Sequence, residues 1–141
     1  MKGGQNRRTL FLDANVVFNV IQLAPNAEKL QQIMQEYDFL SLSILTIFVT
    51  YNYCNYTQIN TGKDYFKQLQ EVFDEADTLD LTSTIFENAK SILKGKDFED
   101  ALQVATAIHN GCDAILTSDK EMSQSYQNLI KIIYIPRSFD K

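Results

Sequence analysis

The chain alternates short apolar runs with longer amphipathic segments along almost all of its length. Runs such as Thr9–Leu12 and Ala114–Thr117 are continuously apolar or β-branched, which is typical of strands buried on both faces. Segments between such runs carry apolar residues at helical spacing, as in Phe98–His109, which Asn110 and Gly111 end. Strands that alternate with helices predict a parallel sheet with helices on both faces, a three-layer α/β/α sandwich.

The same two patterns predict the remaining elements. We expect further strands over 39–44, 78–81 and 131–135, and helices over 15–22, 27–37, 46–59, 64–74 and 83–93. Segment 46–59 is rich in β-branched and aromatic residues, but its length favours a helix over a strand. Because no linker, repeat or low-complexity tract interrupts these elements, we expect one domain over residues 1–141, with residues 1–8 as a flexible leader.

Composition and charge exclude several classes of protein. The apolar runs are too short to span a bilayer, and no small-residue cleavage site marks a signal peptide, so we expect no membrane association. Cys54 and Cys112 lack the spacing of a metal site, which favours a cytoplasmic protein with two buried thiols. The net charge of −5 disfavours a broad basic surface for nucleic acid.

Three aspartates stand where α/β folds bind their ligands. Asp13 and Asp119 follow predicted strands, and Asp100 lies in the first turn of the helix at 98–109, on its apolar side. Ligands of open α/β sheets bind outside the carboxyl ends of the strands. Three neighbouring carboxylates repel one another unless a cation lies between them, and a set without Cys or His favours Mg²⁺ or Mn²⁺.

The same acids also have a simpler explanation as helix caps. Asp97 with Asp100 three residues later is close to a capping box, Glu99 suits the start of a helix dipole, and Asp13 is placed to cap the next helix. Capping does not explain a carboxylate on the apolar side of a helix, which needs a partner when buried. We therefore expect a functional role for Asp100 and keep both interpretations open for Asp13.

The blocks LDANV, DFEDALQVATA and ILTSDKEM, in this order and spacing, resemble the PIN-domain ribonucleases, the fold of VapC-like toxins of toxin–antitoxin pairs. The resemblance extends from Thr9 to Ile135. It implies a PIN-like sheet of about five parallel strands and metal-dependent hydrolysis of RNA phosphodiester bonds. It also implies RNA as substrate, an antitoxin as protein partner and a homodimer. In this resemblance the metal-binding and catalytic acids are Asp13, Asp100 and Asp119, with supporting hydrogen bonds from Asn15 and Thr117.

One position departs from the family. The family pattern of Ser, two residues, Thr, two residues, Glu after the second strand reads Ser43, Thr46 and Val49 here. Valine cannot bind a metal, so three acids remain, with Glu99 and Glu121 as candidate helpers. The alternative function is therefore a catalytically weak or inactive PIN-like module that binds RNA or a partner protein.

Other catalytic chemistries have less support. His109 is the only histidine and lies in the last turn of its helix, where it complements the helix dipole, so we do not expect a Ser-His-Asp or Cys-His mechanism. A haloacid-dehalogenase-like phosphatase needs a second Asp two residues after the first, and Asn15 stands there. The chain has no glycine-rich nucleotide-binding motif.

Tyr51, Tyr53 and Tyr56 form an aromatic cluster in the sequence. Such a cluster is more typical of a core or a subunit interface than of a platform on which bases stack. We expect the homodimer to form through this cluster together with the segment DYFKQLQEVF at 64–73.

Overall fold

Five parallel strands form the central sheet in a computed structural model that describes residues 7–138. They lie in the order β3-β2-β1-β4-β5, and each neighbouring pair runs parallel. The predicted parallel sheet is confirmed. The strands are β1 (Thr9–Leu12), β2 (Phe39–Ser43), β3 (Ala76–Leu79), β4 (Ala114–Thr117) and β5 (Lys131–Tyr134).

Seven helices connect these strands within the described residues. None of them is long and apolar enough to cross a membrane. They are α1 (Ala14–Ile21), α2 (Ala27–Gln35), α3 (Ile44–Thr61), α4 (Phe66–Glu75), α5 (Ser83–Ile92), α6 (Phe98–His109) and α7 (Lys120–Tyr126).

The central strand β1 shows why the core has two halves. Leu10 and Leu12 belong to the cluster that packs with α1, α2 and α4, whereas Phe11 between them belongs to the cluster that packs with α5 and α6. All three side chains are fully buried. A continuous apolar run is therefore required at β1, because successive side chains of a strand point to opposite faces and both faces are covered. The three-layer α/β/α sandwich is confirmed.

The edge strand β3 lies earlier than predicted. The prediction placed a strand over 78–81, but the register against β2 pairs Leu40 with Ala76. Asp77 and Thr78, at the centre of β3, are exposed. Because this strand has one neighbour and little burial, it lacks the continuous apolar run that marks the central strands.

Helix α7 is not predicted by the sequence pattern. Its seven residues are mostly polar, and only Met122 and Tyr126 are buried. Two apolar residues four positions apart form one turn of a stripe, which is too short to give a clear helical period.

The predicted leader over residues 1–8 lies mostly outside the described residues. At its end, the backbone N–H of Arg8 donates to Asp38 Oδ2 at 2.8 Å, and its Nη2 donates to the Glu36 carbonyl at 2.8 Å. The guanidinium also lies over the Tyr37 ring, 4.5 Å from its centroid. Arg8 is therefore anchored at the amino ends of the strands.

The carboxyl ends of the parallel strands share one edge of the sheet, which we call the carboxyl edge. Asp13 directly follows β1, and Asp119 follows β4 after one intervening residue. Helix α6 begins at the same edge, because it must run back toward the start of the parallel strand β4. The topology thus brings Asp13, Asp100 and Asp119 to one edge.

Candidate active site

Asp13 is buried at the carboxyl edge and has partners on both carboxylate oxygens. Its Oδ1 accepts a hydrogen bond from the Ala14 N–H at 2.8 Å, so the residue caps α1. Its Oδ2 accepts from Thr117 Oγ1 at 2.8 Å and from Asn15 Nδ2 at 3.1 Å. Burial nevertheless raises the pKa of Asp13 above its ordinary value, because the hydrogen bonds only partly replace the lost water.

Asn15 and Thr117 join the ends of β1 and β4. Thr117 Oγ1 donates to Asp13 and accepts from the Asp119 N–H at 3.0 Å. Asn15 Oδ1 accepts from the Ser118 N–H at 2.9 Å. The two side chains that the sequence analysis singled out as supports therefore do form hydrogen bonds around Asp13 and hold both strand ends in one arrangement.

Asp100 is a second buried acid whose pKa is strongly raised. Only 7% of the residue is exposed. Burial, then the charges of Asp119, Asp13 and Asp97, and a hydrogen bond with the carboxyl group of Asp119 raise the pKa of Asp100 to about 8. Because a hydrogen bond between two carboxyl groups needs a proton on one of them, the Asp100–Asp119 pair holds a shared proton when no cation is bound.

Asp119 combines a cap with this contact. Its Oδ1 accepts from the backbone N–H groups of Glu121 at 2.9 Å and Met122 at 3.3 Å, which makes it the N-cap of α7. Its charge acts on both Asp13 and Asp100. The short helix that the sequence pattern did not reveal thus serves to fix this carboxylate.

The two candidate helpers differ in position. Glu99 is half-buried at the start of α6, and burial, followed by the charge of Asp13, raises the pKa of Glu99. Glu121 is exposed, and its Oε2 lies 2.9 Å from the point that a Cβ on Gly95 would occupy. The structure therefore brings Glu99 into the electrostatic field of the aspartates and directs Glu121 toward the loop before α6.

Gln103 is a residue of this site that the sequence analysis did not identify. It is fully buried on α6, one turn after Asp100. Its Nε2 donates to Thr46 Oγ1 at 2.7 Å and to Asp13 Oδ1 at 3.4 Å, and its Oε1 accepts from Ser43 Oγ at 2.6 Å. The available signal was a polar residue three positions after Asp100, on the same side of the helix.

The carboxylate oxygens of this site suit a hard cation, but they are not arranged as a complete coordination shell in the described residues. No Lys, Arg or His among residues 7–138 forms a salt bridge with Asp13, Glu99, Asp100 or Asp119. In the same residues, no three Asp, Glu, His or Cys side chains stand as a ready-made ligand group. Carboxylate oxygens are the ligands that Mg²⁺ and Mn²⁺ prefer, and a cation would relieve the repulsion that raises the pKa of Asp100.

Two other groups of residues lie apart from these acids. His109 is exposed in the last turn of α6. Tyr51 and Tyr56 are exposed on α3, while the Tyr53 ring lies 4.4 Å from that of Phe18 and its hydroxyl accepts from Gln22 at 2.7 Å. The aromatic cluster is therefore partly an intramolecular contact of α3 with α1.

A family model for the PIN domain matches residues 10–127. This chain belongs to the PIN domain family. The match covers β1, α6 and β4, so it includes all three aspartates of the carboxyl edge. No curated protein matches the chain by sequence.

Solved structures share the fold of this PIN domain at low sequence identity. A toxin–antitoxin complex from Klebsiella pneumoniae superposes with a TM-score of 0.67 at 12% identity, covering 88% of this chain and 95% of that one. VapBC2 from Rickettsia felis, bound to a DNA fragment from its promoter, gives 0.66 at 12% identity, with 90% and 98% covered. VapC20 from Mycobacterium tuberculosis, a toxin that cleaves the sarcin–ricin loop, gives 0.65 at 13% identity, with 82% and 94% covered.

Val49 lies on α3 of the PIN domain, one turn after Thr46. Its side chain is half-buried, whereas Thr46 and Thr50 on the same helix are fully buried. Ser43 caps α3 by accepting from the Thr46 N–H at 3.1 Å. The Ser and Thr of the Ser-x-x-Thr-x-x-Glu pattern are thus part of the hydrogen-bonded site, and position 49 supplies no carboxylate.

The raised pKa of Asp100 predicts how the metal-free protein responds to pH. A group whose pKa is higher in the folded state stabilises the fold fully below its unfolded pKa, and this contribution is lost as pH rises through the folded value of about 8. Relative to wild type, Asp100→Asn should therefore gain several kcal/mol in the free energy of unfolding between about pH 5 and about pH 9, since the wild-type contribution falls by about 1.4 kcal/mol per pH unit between the ordinary pKa of 3.8 and about 8. Urea unfolding in EDTA measures both values.

Asp113→Asn is the matched control for this prediction. Asp113 is exposed at the opposite edge of the sheet, and its Oδ2 accepts from the Thr9 N–H at 2.7 Å. The difference between this variant and wild type should not grow between the two pH values. An Asp100→Asn protein that differs from wild type by the same amount at both values would show that the carboxyl group only supports the fold.

Proposed function

We propose that this PIN domain is a divalent-metal-dependent ribonuclease that hydrolyses RNA phosphodiester bonds as the toxin of a toxin–antitoxin pair. The observation that carries the proposal is that Asp13, Asp100 and Asp119 lie at the carboxyl edge within reach of one another's charge, without a salt bridge to any Lys, Arg or His of residues 7–138. Acids that only cap helices need not lie so close together that the charge of one raises the pKa of another. Membership of the PIN domain family makes nuclease chemistry the function that this arrangement fits best.

Each residue of the site has a proposed task. Asp13, Asp100 and Asp119 hold Mg²⁺ or Mn²⁺, and Glu99 adds negative charge beside them. Asn15 and Thr117 keep the Asp13 carboxylate in one orientation, and Gln103 holds it from the side of α6. When bound, the metal supplies an activated water and neutralises charge on the attacked phosphate.

The negative charge of the chain is compatible with an RNA substrate under this proposal. The net charge is −5, so the protein as a whole repels a polyanion. A bound divalent ion makes the electrostatic potential at the carboxyl edge more positive, and this is where the phosphate must approach. The RNA is therefore expected to contact the protein mainly at this edge.

The relatives support an antitoxin as the second partner. The Klebsiella and Rickettsia structures are toxin–antitoxin assemblies, and each is covered over more than nine-tenths of its length. We further place the protein in the cytoplasm, because Cys54 and Cys112 are free and buried.

We also propose a homodimer formed by the exposed stripe of α3. The stripe is Ile44, Phe48, Tyr51 and Ile59, with Phe48 63% and Ile59 74% exposed. Residues 44–61 contain no Asp, Glu, Lys or Arg, so two copies of the helix meet without like-charge repulsion. The segment DYFKQLQEVF was also expected to contribute, but its apolar side chains pack against the protein's own core.

This assembly makes a direct prediction. Sedimentation equilibrium should give twice the chain mass of 16.2 kDa, and Phe48→Asp should give the monomer, because it places a charge in the dimer contact. Leu129→Asp is the control, since Leu129 is 43% exposed outside α3. A wild-type protein that sediments only as a 16.2 kDa species would refute the dimer.

The alternative proposal is a PIN domain that binds RNA or a partner protein without cutting it. Val49 is the observation that favours it, because position 49 supplies no fourth carboxylate. The two proposals differ in their metal dependence. A module that only binds RNA or a protein should bind it equally well with and without Mn²⁺, whereas the ribonuclease requires the ion at Asp13, Asp100 and Asp119.

Cleavage of single-stranded RNA tests the ribonuclease directly. Wild type should cleave in Mn²⁺ or Mg²⁺ and not in EDTA. Asp119→Asn should lower the rate by roughly 100-fold or more, because a metal ion contributes several kcal/mol and each 1.4 kcal/mol is about tenfold. Asparagine remains a good N-cap, so α7 should be retained. Asp113→Asn, which removes the same charge at the opposite edge, should cleave like wild type. Equal rates for the two variants would refute the site.

Val49→Glu tests whether position 49 belongs to the site. With a carboxylate restored, Mn²⁺ should bind at least about tenfold more tightly, raise the melting temperature further than in wild type, and speed cleavage. Val49→Gln is the matched control, with a similar size and no charge. If Val49 is ordinary packing, Val49→Glu should instead lose several kcal/mol that Mn²⁺ does not restore. That result would favour the binding module.

A further inference from the structure

Arg137 lies just beyond β5 and is held by a buried side chain. Its Nη1 donates to Asn19 Oδ1 at 2.9 Å. Asn19 is only 3% exposed, whereas Arg137 itself is exposed. Because β5 is parallel to its neighbours, its end places Arg137 at the carboxyl edge, where Asp13 and Asp119 also lie.

A chain of hydrogen bonds connects Arg137 with the acids. From Asn19, the Nδ2 donates to Ser118 Oγ at 3.2 Å. Next, the Ser118 N–H donates to Asn15 Oδ1, and Asn15 Nδ2 donates to Asp13 Oδ2. The guanidinium is thus attached to the same polar framework that orients the Asp13 carboxylate.

A second contact fixes the segment that leads to Arg137. Asn26 is fully buried, and its Nδ2 donates to Ser118 Oγ at 3.1 Å and to the Ile135 carbonyl at 3.5 Å. The Ile135 N–H in turn donates to the Thr117 carbonyl at 2.9 Å. The backbone two residues before Arg137 is therefore tied on both sides to the loop that carries Asp119.

We propose that Arg137 is a substrate-positioning residue that binds a phosphate of the RNA strand beside the acidic site. This inference rests on the proposed ribonuclease function. A guanidinium has five N–H donors, and the hydrogen bond to Asn19 occupies one Nη, so the remaining donors are available to a phosphate in fork geometry. A side chain already held in place loses less conformational entropy when it binds.

The other described arginines do not have this placement. Arg7 lies over the Phe39 ring and Arg8 over the Tyr37 ring, both at the amino ends of the strands. Arg8 also donates an Nη hydrogen bond, to the Glu36 carbonyl. It matches Arg137 in charge, exposure and type of contact, and differs in the edge of the sheet on which it lies. Arg8→Ala is therefore the control variant.

Binding of a fluorescent single-stranded RNA should be measured across a salt series in full-length protein with its aspartates intact, with Ca²⁺ in place of Mn²⁺ or Mg²⁺ to slow cleavage. Adding Arg137→Ala should weaken binding by about tenfold, because it removes the charge-assisted hydrogen bonds to one phosphate. It should also reduce the slope of log K against log salt by about 0.7, the value for one phosphate contact on a single strand. Arg8→Ala should change neither quantity.

Arg137→Lys separates charge from geometry. Lysine should retain the salt slope but recover only part of the affinity, because an ammonium does not form the fork. In the cleaving protein, Arg137→Ala should raise KM for RNA by about tenfold and change kcat little.

The outcomes distinguish this inference from the function on which it rests. If Arg137→Ala and Arg8→Ala have the same affinity and salt slope while wild type cleaves RNA, the role of Arg137 is refuted and the ribonuclease stands. If wild type neither binds nor cleaves RNA with metal present, the proposed function fails and this inference fails with it. Loss of a protein partner in Arg137→Ala with unchanged RNA binding would also overturn it.

Discussion

The buried carboxylate of Asp13 is the interaction on which the arrangement of the carboxyl edge depends. It accepts hydrogen bonds from α1, from the end of β4 through Thr117 and from α6 through Gln103. Since a buried carboxylate without partners is costly, these three elements cannot move apart independently. The pKa of Asp13 is still raised by burial, so the hydrogen bonds hold the group in place without fully stabilising its charge. The fold thus maintains a carboxylate that a cation would stabilise further.

At this edge, a carboxylate that caps a helix can also make other contacts. The N-caps of α1, α6 and α7 are Asp13, Asp97 and Asp119, and each accepts a backbone N–H of its helix. A cap needs one carboxylate oxygen, as at Asp119, where Oδ1 accepts both N–H groups of α7. The second oxygen of Asp119 is therefore not used by the cap. Parallel topology favours such an arrangement, because a helix that follows a parallel strand begins at the carboxyl edge. Its N-cap residue therefore lies where ligands bind in α/β folds.

The bounds of helices and strands are predicted best for the elements whose side chains are most buried. The bounds of β1, α6 and β4 agree with the prediction, because these elements are covered on several sides and show continuous or strongly periodic apolar residues. Edge strand β3 and the short helix α7 bury few side chains. Their sequences therefore lack the apolar run or period by which a strand or helix is predicted. Asp13 and Asp119 could be predicted at one edge because the ends of their strands are visible in the sequence. Gln103 was missed because its partners Ser43 and Thr46 lie about 60 positions earlier, and local periodicity carries no information about such pairs.

Gln103 changes what the Ser43 and Thr46 pair indicates about position 49. Neither hydroxyl requires a neighbouring carboxylate. Ser43 Oγ caps α3 and donates to Gln103 Oε1, and Thr46 Oγ1 accepts from Gln103 Nε2. Their presence beside Val49 is therefore consistent with a site that holds its geometry through an amide. Such a site has less mutual repulsion than one with a fourth acid, which favours the stability of the metal-free fold. It also has less charge with which to attract a divalent ion. Position 49 thus adds neither repulsion nor a fourth ligand oxygen, and Gln103 helps to hold the Asp13 carboxylate without a charge of its own.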